Sequence, residues 1–331
     1  MLNTKDYALV IGINHYKALN KLEGPVEDAR EIYEWLSSEK GGALPKENCF
    51  LIESTEEPCR PLQDDIDEKL AAIIDQGKTT GYNRLYFYFA GHGLGIAWNE
   101  NALCLPQWSE LRRNNALSSS EYLKLIIESD LFTEAFFFLD CCRNRKPGSK
   151  PLHPTLGLPR PLGASCQSFV AYATEFNNAA YEAEHYDGNE TAIRGHFTRA
   201  LVQGLNGAAT NQEGLITTGS MKGFLKVKVE EIAKNFNQNQ SVRFEDSFNP
   251  EGIIVKPAFN TRFIELKIQF REKGNIILEG PALDELRRAH SSTGPWEIPV
   301  EKGIYTITNT NTGKQNYFKV DGTVNPLIYE F

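Results

Sequence analysis

Four apolar segments constrain the fold of this chain more than any other feature. They are Tyr7–Ile13, Arg84–Ala90, Glu134–Asp140 and Ser168–Thr174, and each is almost continuously hydrophobic. An uninterrupted apolar run of this length predicts a strand buried on both faces, as in a parallel sheet covered by helices. A further short strand is expected at Cys49–Ile52.

Helical patterns alternate with these strands. Pro25 begins a helix that extends to about Ser38, since apolar residues recur every three or four positions after it. Ser118 or Ser119 is a suitable cap for a second helix that ends near Ser129. The order of elements predicts an α/β fold, a sandwich with a mostly parallel central sheet and helices on both faces. The other expected helices are Leu62–Gln76, Phe197–Leu205 and Ser220–Asn235.

The character of the sequence changes near residue 259. Short strand patterns separated by turn residues follow, with one helix-like pattern at Ala282–Ala289. We therefore expect a domain over 1–258 and a small β-sandwich-like domain over 259–331. Within the first domain, 143–165 is rich in Pro, Gly and basic residues, which predicts an exposed loop. The expected C-terminal strands are Phe263–Phe270, Asn275–Leu278, Trp296–Val300, Gly303–Thr308 and Asn316–Val320.

Charge and cysteine usage narrow the class of protein. The net charge is -8 and no long basic block occurs, which argues against nucleic acid as a partner. No apolar stretch approaches the ~18 residues of a membrane helix, and the first residues lack a secretory pattern, so we expect a cytoplasmic protein with no membrane partner. The six cysteines include no CxxC pair, so a structural zinc site is not expected. The sequence also has no phosphate-binding glycine loop and no zincin motif, and no cofactor is expected.

Two reactive side chains directly follow predicted strands. His92 lies in the sequence Ala-Gly-His-Gly after the second apolar segment, and Cys142 lies in Asp-Cys-Cys-Arg after the third, 50 residues later. Because the carboxyl ends of parallel strands share one edge of the sheet, both side chains are expected there. A thiol near an imidazole is the arrangement of a cysteine nucleophile with its general base. The amides of Gly93 and Cys142 are candidate donors to an oxyanion.

These motifs resemble the caspase-like cysteine peptidases (clan CD, peptidase C14 type), in particular prokaryotic caspase homologues, metacaspases and paracaspases. The spacing of about 50 residues from histidine to cysteine is typical of caspases. The resemblance covers about residues 5–250 and leaves the tail beyond 260 unexplained. The matching stretches are Ala8–Asn14, Val26–Ala29, Tyr88–Gly93, Leu139–Cys142, Tyr172–Thr174 and Phe197–Leu201.

The resemblance assigns roles to individual residues. In the family's Asp-x-Cys arrangement the nucleophile is the second cysteine, which is Cys142 here and not Cys141. No third catalytic residue is evident, in keeping with a family in which a backbone carbonyl often orients the histidine. In metacaspases and paracaspases, aspartates at the positions of Asp28 and Asp140 bind a basic side chain, and Glu182 resembles a third acidic position. This implies an endopeptidase that cleaves after Arg and, second, after Lys.

The two aspartates also have ordinary structural interpretations, since Asp28 suits a first helical turn and Asp140 suits a strand end. Glu175 is a weaker alternative to Glu182 as the third acid. The acidic run Asp64–Asp67 suggests activation by calcium, as in some metacaspases. The preferred interpretation is that these acidic residues lie in the first turn of a helix, where the helix dipole favours them.

The resemblance has wider implications. It implies self-cleavage within 143–165, at Arg143, Arg145, Lys146, Lys150 or Arg160, and a place in prokaryotic defence or cell death. Polypeptides are the expected substrates, and an activating protein or ligand is expected to act through the C-terminal domain. The oligomeric state stays open. Two alternatives also remain: a catalytically silent caspase-fold scaffold, and a peptidase specific for Asp.

Overall fold

The computed structural model describes residues 2–331 except 61, 147, 159–164, 188–189, 256–262, 323 and 325. Its first part alternates strands and helices in the predicted order. The strands are β1 (Tyr7–Gly12), β2 (Cys49–Glu53), β3 (Arg84–Ala90), β4 (Gly93–Ala97), β5 (Glu100–Cys104), β6 (Ala116–Ser118), β7 (Glu134–Asp140), β8 (Gln167–Tyr172), β9 (Glu182–Asp187), β10 (Glu190–Gly195), β11 (Ile216–Thr217), β12 (Arg243–Asp246) and β13 (Ile253–Val255). The helices are α1 (Pro25–Ser37), α2 (Gln63–Thr80), α3 (Ser119–Ser129), α4 (His196–Gln203) and α5 (Thr218–Asn235).

A six-stranded sheet in the order β12-β8-β7-β3-β1-β2 forms the centre. All neighbouring strands are parallel except β12, which runs antiparallel to β8 at one edge. Ser118 caps α3 as predicted, because its hydroxyl accepts a hydrogen bond from the amide of Glu121. The predicted α/β class with a mostly parallel sheet is therefore confirmed.

Alternate residues of each central strand enter different cores. In β3, Leu85 and Phe87 pack with α2 and α3, whereas Tyr86 and Tyr88 pack on the opposite face with α1, α4 and α5. Both faces of the sheet are thus covered by helices, which explains why the strands are apolar at consecutive positions. Within the described residues, every helix is too short or too polar to serve as a membrane span.

Two smaller sheets lie beyond the central strands. β4, β5 and β6 form an antiparallel sheet directly after His92, and β9 pairs with β10 in a hairpin directly before α4. Neither was expected from the sequence, because their residues lack the continuous hydrophobicity of the central strands. They extend the structure at the edge where β3 and β7 end.

The residues after 263 form two further sheets around a core of their own. The strands are β14 (Ile264–Gln269), β15 (Asn275–Glu279), β16 (Glu285–His290), β17 (Trp296–Val300), β18 (Gly303–Asn309), β19 (Lys314–Val320) and β20 (Leu327–Glu330). β17-β14-β20 form one sheet and β16-β15-β18-β19 the other, with Leu266, Trp296 and Ile307 buried between them. The expected boundary at 258/259 lies outside the described residues.

The prediction of a helix at Ala282–Ala289 was wrong. Glu285–His290 is the strand β16, paired antiparallel with β15 so that Ala289 is opposite Ile276. Pairing with β15 overrides the local preference of this charged segment for a helix. Two elements were also missed at the sequence level, since β20 and the 3-10 turn Ser291–Thr293 had no clear pattern.

The expectation of an exposed loop over 143–165 needs correction at its start. Arg143 is 0% exposed, its guanidinium donates to Asn101 Oδ1 at 2.7 Å and to the carbonyls of Trp98 and Thr174, and it lies 4.1 Å from the ring centre of Tyr172. Burial was not evident from the sequence because all these partners are distant along the chain. A cation so enclosed is not a cleavage site in this conformation.

The remaining basic residues of the loop differ in their surroundings. Arg145 and Lys150 are exposed, and Lys146 forms an ion pair with Glu110. Leu152 bridges to Leu117 and ties the loop to β6. Arg160 lies outside the described residues.

Replacement of Arg143 with alanine is expected to lower the free energy of unfolding by about 2–5 kcal/mol, because it leaves buried acceptors unpaired and opens a cavity. The matched control is Arg145→Ala, an exposed position two residues on, where a change within about 0.5 kcal/mol is expected. Urea denaturation of both variants measures the difference. Equal midpoints for Arg143→Ala and the unchanged protein would contradict the account of this side chain.

Candidate active site

His92 follows β3 and is held by the segment that links β1 to α1. Its Nε2 donates to the carbonyl oxygen of Asn20 at 2.8 Å. Because a carbonyl can only accept, this contact favours the tautomer with the proton on Nε2 and leaves Nδ1 as the acceptor. The edge of the imidazole also meets the ring of Tyr16, with ring centres 4.8 Å apart.

The hydroxyl of Tyr16 enters the ladder between β4 and β5. It accepts from the amide of His92 at 2.8 Å and donates to the carbonyl of Cys104 at 3.4 Å, while the amide of Cys104 donates directly to the carbonyl of His92. One ladder hydrogen bond is thus replaced by a tyrosine bridge. Gly91 permits this approach, since a Cβ atom there would lie 2.5 Å from the Tyr16 hydroxyl.

Gly93 lies against the segment that carries Cys142. A Cβ atom at this position would lie 2.7 Å from the carbonyl oxygen of Cys142, so a larger residue does not fit. The amide of Gly95, two residues on, donates to the carbonyl of Asn144 at 3.0 Å. Because alternate amides of a strand point the same way, the Gly93 amide also faces the Cys142 segment.

Cys142 follows β7, with its thiol half-buried. Its Sγ contacts the main chain of Ala180 twice, accepting from the amide at 3.3 Å and donating to the carbonyl at 3.4 Å. Cys141, its neighbour, points into the core beside β3 and β7 and is 2% exposed. All six cysteines are free thiols.

Burial favours the neutral forms of both reactive groups. It lowers the pKa of His92 from its ordinary value, although the Asn20 carbonyl opposes this shift. Burial also raises the pKa of the Cys142 thiol, against the stabilising amide of Ala180. Both shifts favour a neutral thiol and a neutral imidazole over the ion pair.

Three carboxylates face the same region. Asp28, on α1, accepts from Arg194 Nε at 2.6 Å and from the amide of Gly195 at 2.9 Å. Asp140 accepts from the amide and the hydroxyl of Thr198 at 3.1 and 2.6 Å. Glu182 accepts from the amides of Glu23 and Gly24 at 3.2 and 3.0 Å.

Both aspartates approach the Cα of Gly195, where any side chain would collide with them. Burial raises the pKa of Asp28, and Arg194 opposes that shift. Burial likewise raises the pKa of Asp140, and the two hydrogen bonds from Thr198 oppose it. The acids thus form a buried cluster at the base of the region, with Arg194 paired to Asp28 and Glu31.

A cavity of about 170 Å³ brings these groups together. It is lined by His92, Cys142, Asp28, Asp140 and Glu182. Gly93 is not part of its wall but directly follows His92. Within the described residues, no hydrogen bond joins His92 to Cys142. Catalytic contacts of this kind often tighten only when substrate is bound.

Other acids expected near a site lie elsewhere. Glu175, the alternative third acid, is 3.8 Å from Arg243 and does not line the cavity. Asp64 and Asp65 lie in the first turn of α2, as preferred, and Asp67 is buried and accepts from the hydroxyl of Tyr122 at 2.6 Å.

Several residues of the site had no assigned role at the sequence level. Asn20 and Ala180 act through main-chain atoms, which leave no side-chain signature. Thr198 lies in a stretch that resembles the caspase-like family, but its bonds to Asp140 could not be inferred without the fold. Arg194 could not be linked to Asp28, because 166 residues separate them along the chain.

The sequence profile of the caspase domain matches residues 5–244 of the chain. The chain belongs to the caspase-domain family. This match includes His92, Cys142 and the five parallel strands of the central sheet, and it confirms the family expected from the motifs. The part of the chain beyond 244, with the seven C-terminal strands, lies outside the match.

A search of known proteins gives a second comparison. A probable protease from a Desulfuromonadales bacterium is 36% identical over 219 residues, which make up 61% of this chain and 26% of that protein. The match therefore spans about a quarter of the relative's length. Among solved structures, caspase-1 from Spodoptera frugiperda covers 74% of this chain and 89% of its own, with 12% identity and a TM-score of 0.47.

Proposed function

We propose that this caspase-domain protein is a cysteine endopeptidase that cleaves after Arg and, more slowly, after Lys. The observation that carries the proposal is that one cavity is lined by a thiol, an imidazole and three carboxylates. Membership of a peptidase family supports the reaction class. The acidic wall supports the choice of a basic side chain, because a buried carboxylate cluster disfavours an acidic one.

In the proposed reaction, Cys142 Sγ attacks the carbonyl carbon of the scissile bond while His92 Nδ1 accepts the thiol proton. The amides of Gly93 and Cys142 donate to the oxyanion. His92 then returns the proton to the leaving amine, and the C–N bond breaks to leave an acyl-enzyme on sulfur. Water, deprotonated by His92, attacks the thioester and releases the acid product and the free thiol. The Asn20 carbonyl stabilises the imidazolium that forms in each step.

The acids have distinct parts in binding the basic side chain. Asp28 already has a resident cation in Arg194, whereas Asp140 is bonded to the neutral Thr198. Asp140 is therefore the proposed main partner of the substrate guanidinium, with Asp28 and Glu182 contributing to the negative field. A guanidinium can bind a carboxylate with two parallel hydrogen bonds and an ammonium cannot, which favours Arg over Lys.

A matched set of fluorogenic peptides tests the proposal. Peptides that differ only in Arg, Lys, Gln or Asp before the reporter group are expected to be cleaved in that order. We expect kcat/KM for the Arg peptide to exceed that for the Gln peptide by at least about 100-fold, since a buried charged pair is worth several kcal/mol. Faster cleavage after Asp would contradict the proposed specificity. Absence of cleavage of every peptide, with no labelling of Cys142 by an arginyl chloromethylketone, would favour a silent scaffold.

A further inference from the structure

The segment between β1 and α1, residues 14–24, passes directly over His92 and is called the strap here. Two of its residues hold the histidine. The carbonyl of Asn20 accepts from Nε2, and the hydroxyl of Tyr16 accepts from the His92 amide while its ring packs on the imidazole. The orientation and tautomer of His92 therefore depend on where the strap lies.

The start of the strap is fixed within the N-terminal part of the chain. Asn14 Oδ1 accepts from the amide of Val26 at 2.9 Å, and Ser54 Oγ accepts from the amide of Asn14 at 2.9 Å. The amide of Leu22 donates to the carbonyl of Asn14 at 3.0 Å, which closes the strap into a loop.

The end of the strap is fixed locally, where Asn14 Nδ2 donates to the carbonyl of Glu23 at 3.1 Å, and also from a distant part of the chain. Glu182 begins the β9–β10 hairpin, and its two carboxylate oxygens accept separately from the amides of Glu23 and Gly24. A carboxylate that accepts from two amides makes strong, charge-assisted hydrogen bonds. Glu182 also lines the cavity, so one side chain contacts both the strap and the space proposed for the substrate's basic side chain.

We propose that Glu182 is a positioning residue for His92: it fixes the strap, and through Asn20 and Tyr16 it holds the imidazole with Nδ1 free to accept the proton. The inference rests on the proposed function and assigns Glu182 a part in the rate of the reaction as well as in binding. Each carboxylate oxygen has two acceptor sites, so Glu182 can meet a guanidinium without releasing the strap. Occupancy of the cavity by a basic side chain thereby reinforces the element that orients the base.

The test compares Glu182→Ala and Glu182→Gln with Glu184→Ala, an exposed position on the same strand. With the Arg peptide, Glu182→Ala is expected to lower kcat about 10- to 100-fold, the effect of a misplaced catalytic group. Glu182→Gln keeps one acceptor oxygen, and its kcat is expected to lie between those of Glu182→Ala and the unchanged protein. Glu184→Ala is expected to match the unchanged protein. Thermal unfolding of each variant verifies that it is folded.

Two measurements separate positioning from substrate binding and from loss of fold. The first is the rate at which iodoacetamide, a small neutral reagent, alkylates Cys142 as a function of pH. The second is the ¹⁵N chemical shift pair of the His92 imidazole in histidine-labelled protein, assigned with His92→Gln. For Glu182→Ala we expect the alkylation profile to move to higher pH and the Nε2–H tautomer signal to weaken.

The inference would be overturned if Glu182→Ala changed only KM and left the alkylation profile and the tautomer signal as in the unchanged protein. Glu182 would then be a substrate ligand alone. Neither of those readouts requires peptide hydrolysis. If the unchanged protein cleaved none of the peptides, the proposed function would fail, while the response of His92 to Glu182→Ala would still decide the positioning role.

Discussion

Cys142→Ala is expected to lower kcat for the Arg peptide by at least about 10³-fold, because the variant has no atom to form the acyl-enzyme. Loss of the nucleophile in hydrolases that form an acyl-enzyme costs on the order of 10⁶-fold in kcat, with the remaining activity arising from binding and oxyanion stabilisation. Steady-state hydrolysis with active-site titration measures the effect. The fold should be retained, since the hydrogen bonds of Cys142 Sγ among the described residues are both to the main chain of Ala180.

Cys141→Ala is the matched control for this prediction. Its thiol is buried, and burial raises its pKa to about 12, so it is neither reactive nor accessible. The variant loses the hydrogen bond that Cys141 Sγ accepts from Asn101 Nδ2 at 3.5 Å, and it is expected to retain most of its activity. The choice between these adjacent cysteines came from the Asp-x-Cys resemblance. Loss of hydrolysis in Cys141→Ala together with its survival in Cys142→Ala would reverse that choice.

The central strands could be predicted because both of their faces are buried. Phe136, Phe137 and Phe138 are consecutive in sequence, yet they alternate between the two cores. Such a run has no polar side to confuse the pattern. The edge of the sheet followed from topology, since β3 and β7 are parallel neighbours with Ala90 opposite Asp140. His92 and Cys142, each two residues further along, then had to share that edge.

The supporting structure could not be predicted in the same way. Arg143, Arg194 and Glu182 are charged residues whose partners lie far along the chain, and local periodicity carries no information about such pairs. The β9–β10 hairpin is polar and has no continuous apolar run. Its position was decided by pairing with α1 and the strap, through Asp28 and Gly24. The sequence therefore predicted where His92 and Cys142 lie better than it predicted the residues that surround them.

The acidic wall of the cavity leads to the second large effect. Asp140→Asn is expected to lower kcat/KM for the Arg peptide about 10- to 100-fold, mainly through KM, because a charge-assisted hydrogen bond to a buried carboxylate is worth about 1.5–3 kcal/mol. The Asn side chain keeps an oxygen that can accept from Thr198. The effect on kcat/KM for the Gln peptide should be much smaller, since the Gln side chain is neutral and forms no ion pair with Asp140.

The pH dependence of KM distinguishes this explanation from a general disturbance of the cavity. Burial raises the pKa of Asp140 above its ordinary value of 3.8, so the carboxylate forms at higher pH than an exposed one. KM for the Arg peptide should therefore fall as pH rises through that raised pKa. Burial lowers the pKa of His92, so the imidazole gains its proton at lower pH than an exposed histidine does.

In Asp140→Asn this fall in KM should be reduced, leaving only the dependence due to Asp28, whose pKa is also raised by burial. Asp130→Asn, an exposed position before the other end of β7, controls for the same substitution away from the cavity and should preserve the full dependence. KM is measured from pH 5 to pH 8 with the Arg and Gln peptides side by side. An Asp140→Asn profile identical to that of Asp130→Asn would mean that the substrate's charge is met by another group, because removal of the Asp140 carboxylate would then cost nothing.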